Sequence, residues 1–102
     1  MRLYYTYILS SHSRALYIGV TNNIKARTRH HQGRAHISYT NRYGITKLVY
    51  YEVHRDVRIA IAREKIIKRW PRSRKFRLIE AFNPDWRDLS VGWSEDAAPE
   101  QP

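Results

Sequence analysis

Five residues stand in an order that suits phosphate chemistry. Tyr7 and Tyr17 lie in two short runs, YYTYIL and LYIGVT, and Arg27 and His31 follow one helical turn apart in NNIKARTRHHQ. Glu64 comes later, inside a second helical pattern. Hydrolysis of a phosphodiester needs an activated water, neutralisation of the charge on the phosphoryl oxygens, and help for the leaving oxygen. The forked donors of an arginine suit the phosphoryl oxygens. Tyrosine hydroxyls can orient a water, and a histidine can hydrogen-bond a reacting oxygen or hand it a proton. Mg²⁺ is commonly held by one or two carboxylates and keeps several waters, so one glutamate can suffice. We therefore expect Tyr7, Tyr17, Arg27, His31 and Glu64 to surround a phosphodiester and a divalent metal.

Each of these residues also has a structural alternative. Glu64 can pair with Lys68 at i,i+4, and Arg27 with Glu52 or Asp56. The tyrosines can be core residues with satisfied hydroxyls. An unperturbed tyrosine, with a pKa of about 10, is a poor base at neutral pH unless a nearby metal or cation lowers it. His31 can be a plain polar helix residue. His30 and His31 are adjacent, so on a helix they point roughly 100° apart and cannot chelate one zinc together. There is no H-E-x-x-H, no phosphate-binding glycine loop and no G-x-S-x-G. Pattern alone reaches a basic, nucleic-acid-binding α+β domain and does not name a reaction.

The elements that would position these residues can be read in order. Leu3 to Leu9 alternates, with Leu3, Tyr5, Tyr7 and Leu9 on one face and Tyr4, Thr6 and Ile8 on the other, which predicts a strand. SSHSR breaks it, and Leu16 to Thr21 returns as the second strand of a hairpin. Gly19 inside that strand marks a bend or a close backbone approach. Thr21 or Asn22 is the expected cap of the first helix and Gly33 its end. Ile24, Arg27, Thr28 and His31 share one side of that helix, so Arg27 and His31 are expected to face inward with Ile24. GRAHISYTNRYG is a long basic loop, and Lys47 to His54 is a third strand. Asp56 caps a second helix that Pro71 stops, with Ala60, Ile59, Ala62, Ile66, Ile67 and Trp70 as its apolar arc and Arg58, Lys65 and Arg69 as a basic stripe. Ser73 to Phe82 forms a third helix. The expected architecture is α+β, ββαβαα, a three-stranded antiparallel sheet flanked by helices. It forms one domain over residues 1–93, and the acidic tail 94–102 is expected to be disordered.

Composition narrows the partner. Of 102 residues, 19 are Lys or Arg and 9 are Asp or Glu, for a net charge of +10. So basic a domain repels itself unless it meets a polyanion, which makes nucleic acid the expected partner. Candidate contacts are Lys25, Arg29, Arg34, His36, Arg42, Arg58, Lys65, Lys68 and Arg69. No apolar run approaches the ~20 residues of a membrane span, and the N-terminus lacks the shape of a signal peptide. With no cysteine, the chain fits a reducing cytoplasm.

Tyr5-Thr6-Tyr7, Tyr17-Ile18-Gly19, Arg27 and His31, taken in order with Glu64, resemble the GIY-YIG endonuclease superfamily. AIAREKIIKRW and LIEAFNPDW resemble its small stand-alone bacterial branch. The resemblance runs from about Leu3 to Leu89. It implies a Mg²⁺- or Mn²⁺-dependent nuclease that cuts DNA, structure-selectively in the manner of repair and recombination enzymes. By position it implies Tyr7 and Tyr17 at the water and phosphate, Arg27 on the scissile phosphate, His31 beside them, Glu64 on the metal, and Asn83 as a further polar site residue. Two departures stand out: Tyr-Thr-Tyr replaces Gly-Ile-Tyr, and Val20 stands where repair members carry a lysine. With no attached targeting domain, choice of substrate falls to the loop, the basic stripe or a protein partner. The alternatives are a nucleic-acid-binding module of the same fold without useful catalysis, and RNA as the substrate.

Overall fold

The computed structural model describes residues 2–32 and 42–93. The alternating runs form strands β1 (Tyr4–Ser10) and β2 (Leu16–Thr21). Ser11 closes the turn between them: its N–H donates to the Ala15 carbonyl and its hydroxyl accepts the Ala15 N–H, both at 2.9 Å. Helix α1 (Ile24–Gln32) follows. Its cap is Asn23, whose side-chain oxygen accepts the Ala26 N–H at 3.1 Å, rather than Thr21 or Asn22. Thr21 is spent one step earlier, its hydroxyl accepting the Asn23 N–H at 3.0 Å and so bending the chain into the helix. Then come β3 (Lys47–His54), α2 (Val57–Arg69) and α3 (Arg72–Phe82). Asp56 caps α2 by accepting the Arg58 N–H at 2.9 Å, and Pro71 separates α2 from α3. The fold is α+β in the expected order. Residues 33–41 of the long loop and the acidic tail 94–102 lie outside the described residues, while Arg42, Tyr43 and Gly44 at the end of that loop are described and exposed.

The sheet order is β2-β1-β3, antiparallel throughout. Tyr7 stands opposite Gly19 on one side and Tyr51 on the other, and Thr6 stands opposite Val20 and Glu52. Alternation therefore sends Tyr5, Tyr7 and Leu9 to one face, where they pack with Ile24 and Leu48 beneath α1. Ile8, Ile18 and Tyr50 go to the other face and pack with Ile67, Ile79 and Trp86 of α2, α3 and the segment after them. Fully burying an aliphatic side chain of this size is worth roughly 1.5–3 kcal/mol, so both faces contribute to the core. The buried Thr6 hydroxyl donates to the Ala60 carbonyl at 2.9 Å and sets where α2 crosses the sheet.

The apolar arc of α2 differs from expectation. Ala60 and Ile67 are buried, but Ile59 and Ile66 are 54% and 46% exposed. The contact line passes through Ala60, Arg63 and Ile67, because Arg63 turns in to Glu52 of β3. Its Nε donates to Oε1 at 3.0 Å and its Nη2 to Oε2 at 2.6 Å. The Tyr50 hydroxyl donates to the same carboxylate, and His54 Nε2 lies 3.0 Å from it. Burial alone would raise the Glu52 carboxyl, but bonds from Arg63 and Tyr50 outweigh it and hold the group below its ordinary 4.5. A depressed folded-state value gives stability that is complete above the ordinary pKa and is lost as pH falls through the folded one. In urea denaturation, the stability difference between wild type and Glu52→Gln should hold at neutral pH and shrink once pH drops below 4.5. A difference unchanged down to acid pH would contradict the assignment.

Candidate active site

Tyr7 and Tyr17 rise from the face that α1 covers. The direct partner of Tyr17 is Leu9, so the tyrosines are diagonal neighbours, with ring centroids 6.3 Å apart and planes tilted by 41°. Gly19, opposite Tyr7, is what lets the ring settle. A Cβ there would stand 2.6 Å from the Tyr7 hydroxyl oxygen and 2.7 Å from the carbon bearing it. The close approach expected at Gly19 is thus the approach of Tyr7.

Arg27 completes a trio. The Arg27 guanidinium and the Tyr17 hydroxyl both lie near enough to the Tyr7 hydroxyl to act on its proton. Tyr7 is fully buried, Tyr17 partly buried and Arg27 exposed, so the three lead from the core to solvent. Burial pushes the Tyr7 hydroxyl well above the ordinary tyrosine value and Tyr17 adds to this, while Arg27 pulls the other way without cancelling it. At neutral pH Tyr7 is therefore a neutral hydroxyl that donates or accepts a hydrogen bond, not a base.

The helical wheel turns Arg27 inward with Ile24. The structure instead buries Ile24 and Thr28 and leaves Arg27 on the flank, where one end meets Tyr7 and the rest stays hydrated. Glu52 and Asp56, its two alternative partners, pair with Arg63 and Arg58. His31 falls within α1, but its side chain lies outside the described residues, as do Arg34 and His36.

Glu64 arrives from the other face of the sheet. Ala60 meets Thr6, at the level of Val20, and Ile67 packs with Ile8 and Ile18. Glu64 lies between those contacts along α2. Arg63 reaches toward β3, so Glu64, one position round the helix, falls on the side nearer β2. Val57, two turns earlier on the same stripe, lines an open cleft of about 280 Å³ together with Arg27, Tyr4, Val20, Thr21 and Asn22. Strand β2 is an edge of the sheet. Of the expected site residues whose side chains are described, Arg27 is the one that lines this cleft; Tyr7, Tyr17 and Glu64 are not among its lining residues.

The alternative pairing of Glu64 is present: Lys68 Nζ donates to its carboxylate at 3.2 Å. An exposed i,i+4 pair is worth about 0.3–0.5 kcal/mol, too little to lock the group. Among the described residues no three metal-ligating side chains cluster. A single, weakly held carboxylate, 21% exposed, fits a hard cation that keeps most of its waters and takes further oxygens from a phosphate.

The remaining candidates divide. Lys25 and Arg29 lie on α1, on the tyrosine side. Arg58, Lys65 and Arg69 are exposed on α2, on the other side, with Arg58 committed to Asp56 through two bonds. Arg42 is exposed. Asn83 is held by backbone groups. Its amide donates to the Val49 and Arg87 carbonyls at 3.1 and 2.9 Å, and its oxygen accepts the Arg87 N–H at 3.1 Å. These three bonds lock the turn after α3 against β3, the opposite edge from β2. Tyr4, Val20 and Asn22 at the cleft carry no signal in the sequence; only strand register gathers them.

Known proteins resemble this chain in ways that match its geometry. A UPF0213 protein of Clostridium perfringens is 39% identical over 77 residues, covering 76% of this chain and 83% of its own. One of Staphylococcus haemolyticus is 34% identical over 80 residues, covering 78% and 98%. The solution NMR structure of a UPF0213 protein from Bacillus halodurans matches 90% of this chain and 99% of its own, with a TM-score of 0.56 and 22% identity, and so shares the fold. The family model described as the GIY-YIG catalytic domain matches residues 3–77, the span that contains Tyr7, Tyr17, Gly19, Arg27 and Glu64, and the chain belongs to the GIY-YIG family of nuclease domains.

Proposed function

We propose that this chain is a divalent-metal-dependent endonuclease that hydrolyses phosphodiester bonds in DNA. What supports the reading is the grouping of Tyr17 and Arg27 about the buried Tyr7 hydroxyl, in a chain whose residues 3–77 match the GIY-YIG catalytic domain. Arg27 is the exposed end of the trio and meets the phosphoryl oxygens, neutralising charge that grows as water oxygen bonds to phosphorus and the bond to the leaving oxygen breaks. Tyr17, partly exposed and beside Tyr7, orients the attacking water. Tyr7, held neutral by burial, fixes Tyr17 and Arg27 relative to each other. Glu64 would hold Mg²⁺ or Mn²⁺, which would lower the pKa of a bound water and stabilise charge on the phosphoryl group.

Net charge supports a nucleic-acid partner, and no described helix is long and apolar enough to cross a membrane. The test is single-turnover cleavage of labelled branched DNA, linear DNA and RNA, with Mg²⁺ or with chelator, by wild type and Glu64→Gln. DNA cleavage that chelator abolishes, and that Glu64→Gln lowers at least about 100-fold, is the expected outcome. Equal rates for the two proteins would remove the reading. Binding without chelator-sensitive cleavage would leave a binding module, and cleavage of RNA alone would move the substrate.

A further inference from the structure

The hairpin turn and the start of α3 hold charged side chains that the cleavage site does not use. The Arg14 guanidinium lies 4.5 Å from the ring centroid of Trp86 and 5.9 Å from that of Phe76. Arg72 lies over Phe76 at 4.7 Å and donates from Nη2 to the Arg14 carbonyl at 3.0 Å. The two rings meet edge to face, with centroids 4.9 Å apart. Arg74 lies over Trp70 at 4.1 Å. Among the described residues, none of these three arginines forms an ion pair. Glu80, at the edge of the same group, accepts the Trp86 Nε1–H at 3.0 Å.

Stacking on an aromatic face orients a guanidinium and leaves its N–H edges available. It does not supply a counter-charge. Three oriented cations of this kind, on a domain already at +10, match a polyanion better than a water-facing surface. Their position also fits. Arg14 precedes Tyr17 by three residues, so the two backbones are at most about 11 Å apart. A duplex strand carries a phosphate every ~3.4 Å of helix axis, so one bound strand is long enough to meet both segments.

We propose that Arg14, Arg72 and Arg74 form a second contact for the nucleic-acid backbone, apart from the phosphate at the tyrosines, and fix how the strand lies along the β2 edge. The inference rests on the nuclease reading. The contact positions the strand and reads no base. Its test is fluorescence anisotropy of labelled duplex DNA in chelator over a series of KCl concentrations, comparing wild type with the triple variant Arg14→Gln, Arg72→Gln, Arg74→Gln. At ~0.9 per phosphate, the slope of log affinity against log salt should become shallower by about 2–3, and affinity should fall at least about tenfold at physiological salt. Single-turnover cleavage at saturating DNA should stay at the wild-type rate. Arg14 packs on Trp86, so the double variant Arg72→Gln, Arg74→Gln serves if the triple fails to fold, with a slope change of about 2. A folded variant with wild-type slope and affinity overturns the contact and leaves the nuclease reading standing. A saturated rate that falls while the slope stays unchanged also overturns it. Wild-type protein that binds no DNA overturns both.

Discussion

Arg27→Ala should lower single-turnover cleavage of DNA by about 100- to 1,000-fold, which corresponds to roughly 2.7–4 kcal/mol of lost transition-state stabilisation. Its unfolding free energy should stay within about 0.5 kcal/mol of wild type. The two expectations differ because the guanidinium is exposed and contributes little packing, while the Tyr7 hydroxyl that it touches keeps Tyr17 as a second partner. Arg27→Lys keeps the charge and loses the fork, so its rate should fall between those of wild type and alanine. Cleavage rates at saturating DNA, set beside urea denaturation of the same preparations, provide the check. A folded Arg27→Ala protein that cuts at the wild-type rate would separate this arginine from the reaction.

Gly19→Ala should damage both stability and activity. The new Cβ would stand 2.6 Å from the Tyr7 hydroxyl oxygen and 2.7 Å from its ring carbon, and Tyr7 is fully buried with nowhere to swing freely. Overpacking of this kind costs about 1–3 kcal/mol. A displaced Tyr7 also loses its hold on Tyr17 and Arg27, and small misplacements of catalytic groups lower rates by up to about 100-fold. Adding Tyr7→Phe removes the hydroxyl but leaves the contact at the ring carbon, so it should restore only part of the stability. Urea denaturation of the single and double variants measures this directly. Wild-type stability in Gly19→Ala would mean that the ring does not rest on this glycine.

The strands were legible because period-two alternation over Leu3 to Leu9 and Leu16 to Thr21 leaves little choice of face. α2 was legible because Asp56 and Pro71 bracket it. Its contact line was not, because hydropathy ranks Ile59 and Ile66 above Arg63. A guanidinium that finds Glu52, Tyr50 and a tryptophan face can turn in where an isoleucine stays out. The trio was half legible. Tyr7 and Tyr17 follow from alternation on two paired strands, but the position of Arg27 depends on α1 being entered through Thr21 and Asn23. The other limit was the edge: nothing in the chain's order reveals that β2 is an outer strand. Asn83 was placed after the third helix by sequence, but its three bonds to backbone carbonyls and an N–H could not be read there.

The most direct test of a single site spanning the β2 edge is a Mn²⁺ titration followed in amide NMR spectra, with a short uncleavable DNA bound. The expected result is selective paramagnetic broadening of Glu64 on α2 together with Gly19 and Val20 on β2 and Arg27 on α1, all lost in Glu64→Gln. Broadening confined to the neighbourhood of Glu52 or Asp56, with Gly19 and Arg27 left sharp, would show that the carboxylate and the tyrosine–arginine trio do not serve one phosphate.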